Sequence, residues 1–341
     1  RYGSGLPFYR IEGLQRVLGV PLPASVQWEL ASGAAGKLGP ALQELIGQAA
    51  QGEILYNDDT PMKILDFLVE ARKRKERGEK PEERTGTFTS GVVSEVSGRQ
   101  VVLYFTGRRH AGENLAQVLA QRAAGSDAPI QMCDGLDRNL PGELKTIVSN
   151  CLVHARRQFV DVAENFPAQV QHVLEELAEV YRNDARARTE AMSPEGRLRF
   201  HRQESGPVME RLKVWLDALV ADKKVEPNSG LGKAIAYVQK RWERLTLFLN
   251  AAGAPLDNNL CERMLKKAIL HRKNSLFYKT ENGARVCDLY MSLIATAKLA
   301  KADPFDYLTQ LQRHAEQVAA KPSEWMPWNY REALGPAQRP P

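Results

Sequence analysis

Three acidic side chains stand where carboxylates can do chemistry. Asp58 and Asp134 each follow a short apolar run typical of a strand, and Glu262 lies in the first turns of a late helical segment. Carboxylates at strand ends can converge in space, and their hard oxygen atoms suit Mg²⁺ or Mn²⁺. Three of them can hold two such ions about 3.5–4 Å apart, the arrangement that serves phosphoryl transfer. Acidic residues at strand ends also often act only as turn formers or helix caps, and position alone leaves both interpretations open.

Hydrophobic periodicity and turn signals predict the elements that position these carboxylates. Residues 1–50 are predicted to be helical. After them we predict, in order, a strand, a hairpin, a helix, a strand, a helix and a strand, at residues 54–56, 87–106, 111–124, 129–133, 141–145 and 146–152. This is the element order of a ribonuclease-H-like core, with antiparallel strands first and parallel strands later. In such a core the ends of the first and fourth strands are neighbours, which would place Asp58 beside Asp134.

The remaining segments are assigned from their composition. Residues 70–86 are highly charged and are predicted to form a solvated loop, with contact to DNA phosphates as the alternative. Residues 154–254 are almost wholly helical in pattern and are predicted to be an inserted domain. Asp257 is predicted to be the N-cap of the helix that carries Glu262, and Ser275–Tyr278 is predicted to form a strand or a hairpin. We therefore predict an α/β chain with a helical segment, a core in two parts around a large helical insertion, and an irregular tail, at residues 1–50, 51–153, 154–254, 255–320 and 321–341.

Composition limits the class of protein. Lys and Arg number 47 against 41 Asp and Glu, a net charge of +6 that permits a polyanionic partner without proving one. The four cysteines are scattered without a Cys-x-x-Cys pair, which argues against a disulfide framework. We find no apolar run of about 18 residues and no signal peptide, so we expect a soluble cytoplasmic protein without membrane contact. The chain begins at Arg1 and not at Met, which suggests a fragment.

Three motifs in this order resemble the transposases of the insertion sequence 66 family, a branch of the DDE transposases. They are Asp58-Asp-Thr-Pro61; Asp134-Gly135 followed by Cys151-Leu-Val-His-Ala-Arg-Arg157; and Asp257-Asn-Asn-Leu-Cys-Glu-Arg263 followed by Arg272-Lys-Asn274 and Gly283. The similarity covers most of the chain and begins with residues 1–10. Asp59 stands where the family usually has Glu, and Leu152 stands where it usually has Trp. The family normally carries N-terminal DNA-binding and metal-binding segments, to which nothing here corresponds.

The resemblance implies a function. Asp58, Asp134 and Glu262 would be the catalytic residues and would hold two Mg²⁺ or Mn²⁺ ions, on a ribonuclease-H-like fold with a helical insertion before the final Glu. The reaction would be cleavage and strand transfer at transposon ends, by a homo-oligomer bound to transposon-end and target DNA. Two alternatives remain open: a transposase-derived DNA-binding protein without catalysis, and a plain nuclease that never joins strands. Asp58 is preferred over Asp59 because neighbours on a strand point to opposite faces.

Several cationic residues near these acids are candidates for contact with the DNA backbone, with an ordinary solvated surface as the alternative. They are Arg108, Arg109, His154, Arg156, Arg157, Arg263, Lys266, Lys267, Arg272 and Lys273. Cys151 and His154 have Cys-x-x-His spacing, but a structural zinc site needs four ligands and no second pair lies nearby. Trp215 and Trp242 lie at helical spacing and are predicted to belong to the core of the insertion.

Overall fold

The computed structural model describes residues 1–80 and 84–334. Within them the strands are β1 (Ile54–Pro61), β2 (Phe88–Val96), β3 (Arg99–Gly107), β4 (Ile130–Cys133) and β5 (Ile147–Asn150). The α-helices are α1 (Phe8–Val17), α2 (Ala24–Ala50), α3 (Leu65–Glu76), α4 (Ala111–Leu119), α5 (Leu152–Val160), α6 (Pro167–Thr189), α7 (Pro194–Glu204), α8 (Gly206–Ala221), α9 (Gly230–Lys240), α10 (Trp242–Leu245), α11 (Asn259–Ser275), α12 (Glu281–Leu299), α13 (Pro304–Arg313), α14 (Ala315–Ala320) and α15 (Tyr330–Ala333). Short 3₁₀ turns cover Asp137–Asn139, Leu247–Leu249 and Pro322–Trp325.

These elements divide between two compact units. Unit 1 comprises Arg1–Pro129, Arg138–Lys145 and the described residues from Asn259 onwards, whereas unit 2 comprises Ile130–Asp137 and Thr146–Asn258. The strand pairs are antiparallel in unit 1 and parallel in unit 2. The prediction of a mixed α/β chain rich in helices is therefore confirmed. No helix within residues 1–80 and 84–334 is both long enough and apolar enough to cross a membrane.

The sheet of unit 1 is an antiparallel meander. β1 pairs with β2, and β2 pairs with β3 through the predicted hairpin, in which Ser97 and Gly98 both have positive φ values. A two-residue turn in which both residues have positive φ matches the right-handed twist of the two strands that it joins. β1 does not end at Asp58, as the sequence suggested. It continues to Pro61, because Thr60 and Pro61 still pair with residues of β2.

The core of unit 1 lies between this sheet and the long helices. Leu38 and Leu45 of α2 are fully buried with Leu55 of β1, Leu103 of β3 and Leu293 of α12. Burying a side chain of this kind stabilises the fold by roughly 1.5–3 kcal/mol. The C-terminal segment extends the same core, since Trp325 and Tyr330 are almost fully buried within it.

α12 also protects the free edge of the sheet. β3 is the last strand on its side, so alternate N–H groups would be left without a strand partner. Thr296, Ser292 and Asp288 accept hydrogen bonds from the N–H groups of Val102, Tyr104 and Thr106, at 3.0, 3.0 and 2.6 Å. Steps of four residues on a helix and two on a strand both advance the chain by about 6–7 Å, which is why the two series stay in register.

Unit 2 joins the parallel strands β4 and β5 to the helices α5–α10. The helical character predicted for this part of the chain is therefore confirmed. Ser193 and Ser229 cap α7 and α9 by accepting the N–H groups of Gly196 and Gly232. Apolar side chains of α6, α8 and α9 are buried within the unit, among them Val173, Leu177, Leu212, Leu216 and Ile235.

A buried carboxylate ties two helices of unit 2 together. Asp184 of α6 is only 2% exposed, and Arg197 and His201 of α7 both contact it, as does Arg188 of its own helix. Burial opposes ionisation of Asp184, but the hydrogen bond from His201 and the charges of the arginines outweigh it. The pKa of Asp184 is therefore lowered. A buried charge is tolerated only with such partners.

Some sequence expectations differ from the structure. The segment predicted as a loop at 70–86 is helical through Glu76, where Lys73, Arg74 and Lys75 lie in the last turn and suit the helix dipole. The helix predicted at 141–145 is absent, and a 3₁₀ turn at Asp137–Asn139 precedes this stretch instead. At 275–278, Tyr278 forms only an isolated bridge with Ile64. The tail is not irregular as predicted between residues 322 and 333. The parts of these predictions at 81–83 and 335–341 lie outside the described residues.

Candidate active site

The two adjacent carboxylates of β1 have different surroundings. The Asp59 side chain is 1% exposed, and its oxygens contact Nδ1 of His110 at 2.9 Å and Nη2 of Arg138 at 3.4 Å. His110 lies at the start of α4 and packs against Phe88 with tilted rings, whose centroids are 4.3 Å apart. The segment that carries Arg138 is held to β1 because Asn57 Nδ2 donates to the Asn139 carbonyl at 2.8 Å. Asp59 is thus occupied by the imidazole of His110 and the guanidinium of Arg138 within unit 1.

Asp58 lies on the part of the sheet that α11 covers. It pairs across the sheet with Gly91, and its Oδ1 accepts the N–H of Asp59 at 2.8 Å. The absence of a side chain at Gly91 lets α11 approach closely. A Cβ there would lie 3.1 Å from Leu265 and 3.4 Å from Sγ of Cys261. The thiol of Cys261 donates to the Gly91 carbonyl at 3.4 Å.

The pKa of the Cys261 thiol depends on two predicted catalytic residues. Burial raises the pKa of its thiol well above the usual value, and the carboxylates of Asp58 and Glu262 raise it further. The two acids are separated by most of the chain, yet both lie within electrostatic range of one buried sulfur atom in unit 1. The charges of Asp58 and Glu262 therefore both act on this one thiol, whereas Asp59 contacts other groups.

Asp134, the third predicted acid, belongs to unit 2. It follows the last residue of β4, its Oδ1 accepts the N–H of Leu136 at 3.0 Å, and its carbonyl accepts Asn150 Nδ2 at 3.2 Å. Tyr237 of α9 lies close by: burial raises its pKa, the charge of Arg241 lowers it and the charge of Asp134 raises it. Asp134 is therefore held at a strand end, as the sequence predicted, with an aromatic ring and a guanidinium near it.

The predicted basic residues of α11 form an exposed face. Arg263, Lys266, Lys267 and Lys273 are exposed, while Cys261, Leu265, Ala268 and His271 on the other side of the helix are buried. Arg272 is half-buried and differs in role, since its Nη1 donates to Thr60 Oγ1 at 3.0 Å and to the Pro61 carbonyl at 2.5 Å. It fastens the end of α11 to the end of β1.

The other candidate cations are distributed over both units. In unit 1 the guanidinium of Arg108 lies 4.5 Å from the centre of the Phe67 ring, and exposed Arg109 donates to Gln117. In unit 2 Arg156 and Arg157 are exposed on α5, and His154 is half-buried in its first turn. Cys151 precedes this helix. Burial raises the pKa of its thiol to about 12 although the backbone amides of Asn258 and His154 point at it.

Sequence reasoning missed several residues that shape these surroundings. His110, Arg138, Tyr237 and Arg241 contact or adjoin the acids, but their partners lie far away in the sequence. The sequence pointed only to Cys261 among the residues near the site. This residue directly precedes Glu262, and it must lie on the buried side of a helix whose exposed side is basic. Trp215 and Trp242 were predicted to be core residues and are only half-buried, with Trp215 packed against His172.

A mixed α/β chain with one acid within a strand, another at a strand end and a basic helix beside the first fits the broad class of proteins that process nucleic acids. The family model described as Transposase IS66 family matches residues 1–286, and the chain belongs to this family.

Three relatives from Sinorhizobium fredii bear the name uncharacterized protein. The chain is 34% identical to y4jD over 185 residues, which is 53% of this chain and 35% of that protein. It is 28% identical to y4qI over 361 residues, 98% of this chain and 62% of that protein. It is also 28% identical to y4hP over 200 residues, 54% of this chain and 35% of that protein. The chain thus spans between about a third and three-fifths of the length of these relatives.

Proposed function

We propose that this chain carries the catalytic centre of a DNA transposase that cleaves DNA at transposon ends and transfers the strand to a target. Asp58, Asp134 and Glu262 are its catalytic carboxylates, on a ribonuclease-H-like core. One observation supports the proposal beyond family membership. Asp58 and Glu262 are distant in sequence, yet the charges of both act on the buried thiol of Cys261. Asp59 is not available as the metal ligand in place of Asp58, because it contacts His110 and Arg138. The enzyme acts in the cytoplasm as a homo-oligomer on paired DNA ends.

The donor groups fit a pair of divalent ions. Asp58 and Glu262 supply carboxylate oxygens, the ligands that Mg²⁺ and Mn²⁺ prefer, and Asp134 supplies the third carboxylate. These three residues would hold the ions. When bound, two such ions lower the pKa of an attacking water or 3′-hydroxyl and stabilise the leaving oxygen.

The protein's own groups then orient the carboxylates and the DNA. Asp59, anchored to His110 and Arg138, fixes β1 so that Asp58 is presented on the side covered by α11. Arg272 fixes α11 to the end of β1. The exposed cations Arg263 and Lys266 flank Glu262 and contact backbone phosphates, which positions the strand without reading its sequence.

The test is a strand-transfer assay on duplex DNA that carries the terminal sequence of the element encoding this chain. In Mn²⁺ the unaltered chain should nick the end and join it to a target. Asp58→Ala, Asp134→Ala and Glu262→Ala should each lower both rates by about 100-fold or more, with DNA binding and thermal unfolding retained. Asp222→Asn, an exposed carboxylate at the end of α8, is the matched control and should keep full activity.

Each alternative has its own outcome in this assay. Full activity in all three alanine variants would contradict the assignment of the carboxylates. Cleavage that never joins the 3′ end to a target would indicate a plain nuclease. DNA binding with neither cleavage nor joining would indicate an accessory DNA-binding protein.

A further inference from the structure

Unit 2 contains a cavity that the proposed catalytic centre does not use. It has a volume of about 700 Å³ and lies among α8, α9, α10 and the loop after β4. Lys213, Lys240, Arg241 and Arg244 line it, against two carboxylates, Asp137 and Glu243. A volume of this size falls in the range of roughly 300–1,000 Å³ typical of ligand sites. The excess of cations favours an anionic ligand.

One wall of the cavity is built from a glycine and a fixed arginine. A Cβ at Gly135 would lie 2.2 Å from Nε of Arg241 and 2.9 Å from the hydroxyl of Tyr237, so only glycine allows this packing. Arg241 Nη2 donates to the Gly135 carbonyl at 2.9 Å, and its guanidinium lies 4.2 Å from the centre of the Tyr237 ring. Two contacts hold this cation in place next to the residue that follows Asp134.

Trp242 supplies an aromatic surface in the same place. It is half-buried, and it lines both this cavity and an adjoining one of about 210 Å³, together with Lys213 and Gln239. The ring is therefore partly accessible, in a cavity that cationic side chains also line. Aromatic rings beside cations are how proteins bind single-stranded nucleic acid, because every unpaired base has a face to stack and every nucleotide has a phosphate.

We propose that this cavity binds unpaired nucleotides of a DNA strand, with a base stacked on Trp242 and the adjacent phosphates bound by Lys213 and Arg244. The inference rests on the proposed function in that DNA is the substrate, and it adds a site for a separated strand. A paired base has no free face for Trp242, so the site discriminates against intact duplex. Its position beside Gly135 would place the strand next to Asp134.

The test measures binding of a fluorescein-labelled 12-nucleotide single strand to the full 341-residue chain in EDTA, where no metal-dependent cleavage occurs. Trp242→Ala should raise the Kd by about 5- to 150-fold, since stacking of one base is worth about 1–3 kcal/mol. Trp242→Phe should bind nearly as the unaltered chain does. Trp215→Ala removes the other half-buried tryptophan of this unit, which does not line the cavity, and should leave the Kd unchanged.

Two further measurements separate the proposal from general electrostatic attraction. Lys213→Ala should reduce the slope of log Kd against log salt by about 0.7, the single-strand value for one phosphate contact. Trp242→Ala should not alter the affinity for heparin, a polyanion without bases. If Trp242→Ala binds the single strand as tightly as the unaltered chain, or loses heparin and single strand equally, the proposal is wrong.

The remaining outcomes distinguish ligand and function. A deoxynucleoside triphosphate that displaces the strand at micromolar concentration would show a mononucleotide site and overturn the strand assignment. If circular dichroism shows that Trp242→Ala is poorly folded, the strand assignment is tested by two other results. These are the Kd of Trp242→Phe and the slope of log Kd against log salt for Lys213→Ala. Because binding is measured without metal, loss of strand transfer in the earlier assay and loss of Trp242-dependent binding are independent results.

Discussion

Asp58 and Asp59 are identical in chemistry, but their neighbours give them different roles. Adjacent residues on a strand face opposite sides of the sheet. Asp59 faces the imidazole of His110 and the guanidinium of Arg138, and these two partners offset the cost of burying a carboxylate. Asp58 faces the region under α11, where its charge raises the pKa of Cys261. The sequence predicted that only one of the pair faces the site, but His110 lies 51 residues away and could not be assigned as the partner of the other.

Neutralising Asp58 should therefore affect activity, whereas neutralising Asp59 should affect stability. Asp58→Asn removes a proposed metal ligand, so the Mn²⁺-dependent cleavage rate should fall by about 100-fold or more with stability nearly unchanged. Asp59→Asn weakens a buried ion pair, so the free energy of unfolding should fall by about 2 kcal/mol, a value that allows for the 44% exposure of Arg138. Cleavage kinetics and urea unfolding of both variants measure these two effects. If Asp59→Asn abolished cleavage without loss of stability, the assignment of the two carboxylates would be reversed.

The packing of α12 on β3 shows what a sequence can and cannot reveal about an element. α12 spans Glu281–Leu299. Its polar residues Asp288, Ser292 and Thr296 recur every four residues within an otherwise apolar segment, and this spacing indicates one polar stripe. That the stripe caps a strand edge follows only from the three-dimensional structure. The charged segment 70–76 misled the prediction because helix formation there depends on local propensity and not on an apolar face.

The carboxyl group of Asp288 makes this helix–strand contact sensitive to pH. Burial raises its pKa to about 7 although Thr106 donates two hydrogen bonds to it. The folded state then binds a proton more tightly than the unfolded state does, for which the pKa is 3.8. The contribution to stability is complete below about pH 4 and is lost as the pH rises towards 7.

Urea unfolding between pH 4 and 8 measures this effect. We expect the contribution of Asp288 to the free energy of unfolding to fall by up to about 4 kcal/mol across this range, since each unit of pKa shift is worth about 1.4 kcal/mol. Asp288→Asn keeps an acceptor for the Thr106 amide and should flatten the pH profile relative to the unaltered chain. An identical slope in both proteins would show that Asp288 is ionised throughout.

α11 carries Glu262, and its position depends on a glycine in β2. Gly91→Val would place methyl groups against Leu265 and Cys261, so α11 would have to move outward. A displacement of about 1 Å can cost about 100-fold in rate. We expect this loss in cleavage assays, and partial recovery when Leu265→Ala makes room. Gly107→Val is the matched control, because a Cβ there meets no atom of the described residues within 4 Å. Full activity of Gly91→Val would show that the approach of α11 does not set the position of Glu262.

At the scale of the whole molecule, the proposed ligands come from both units. The motifs predicted Asp58, Asp134 and Glu262 as one set, and periodicity predicted that a long helical stretch separates the last two. Asp58 and Glu262 belong to unit 1 and Asp134 belongs to unit 2, whose strands β4 and β5 precede the helical stretch. The sequence placed these strands in the segment 51–153, and that division of the chain stays a prediction. Local pattern assigns strands and helices, but it does not decide which elements share a compact unit.

Metal binding to the whole chain should therefore depend on residues of both units. A ligand that binds only the folded state stabilises it by about 2.7 kcal/mol at a concentration 100 times its Kd. Mn²⁺ should raise the Tm of the unaltered chain and of Asp222→Asn, and both Asp58→Ala and Asp134→Ala should remove most of this rise. Differential scanning fluorimetry over a Mn²⁺ titration, with isothermal calorimetry for stoichiometry, measures it. If Asp134→Ala kept the full rise while Asp58→Ala lost it, Asp134 would not be a ligand and the metal site would consist of unit 1 residues alone.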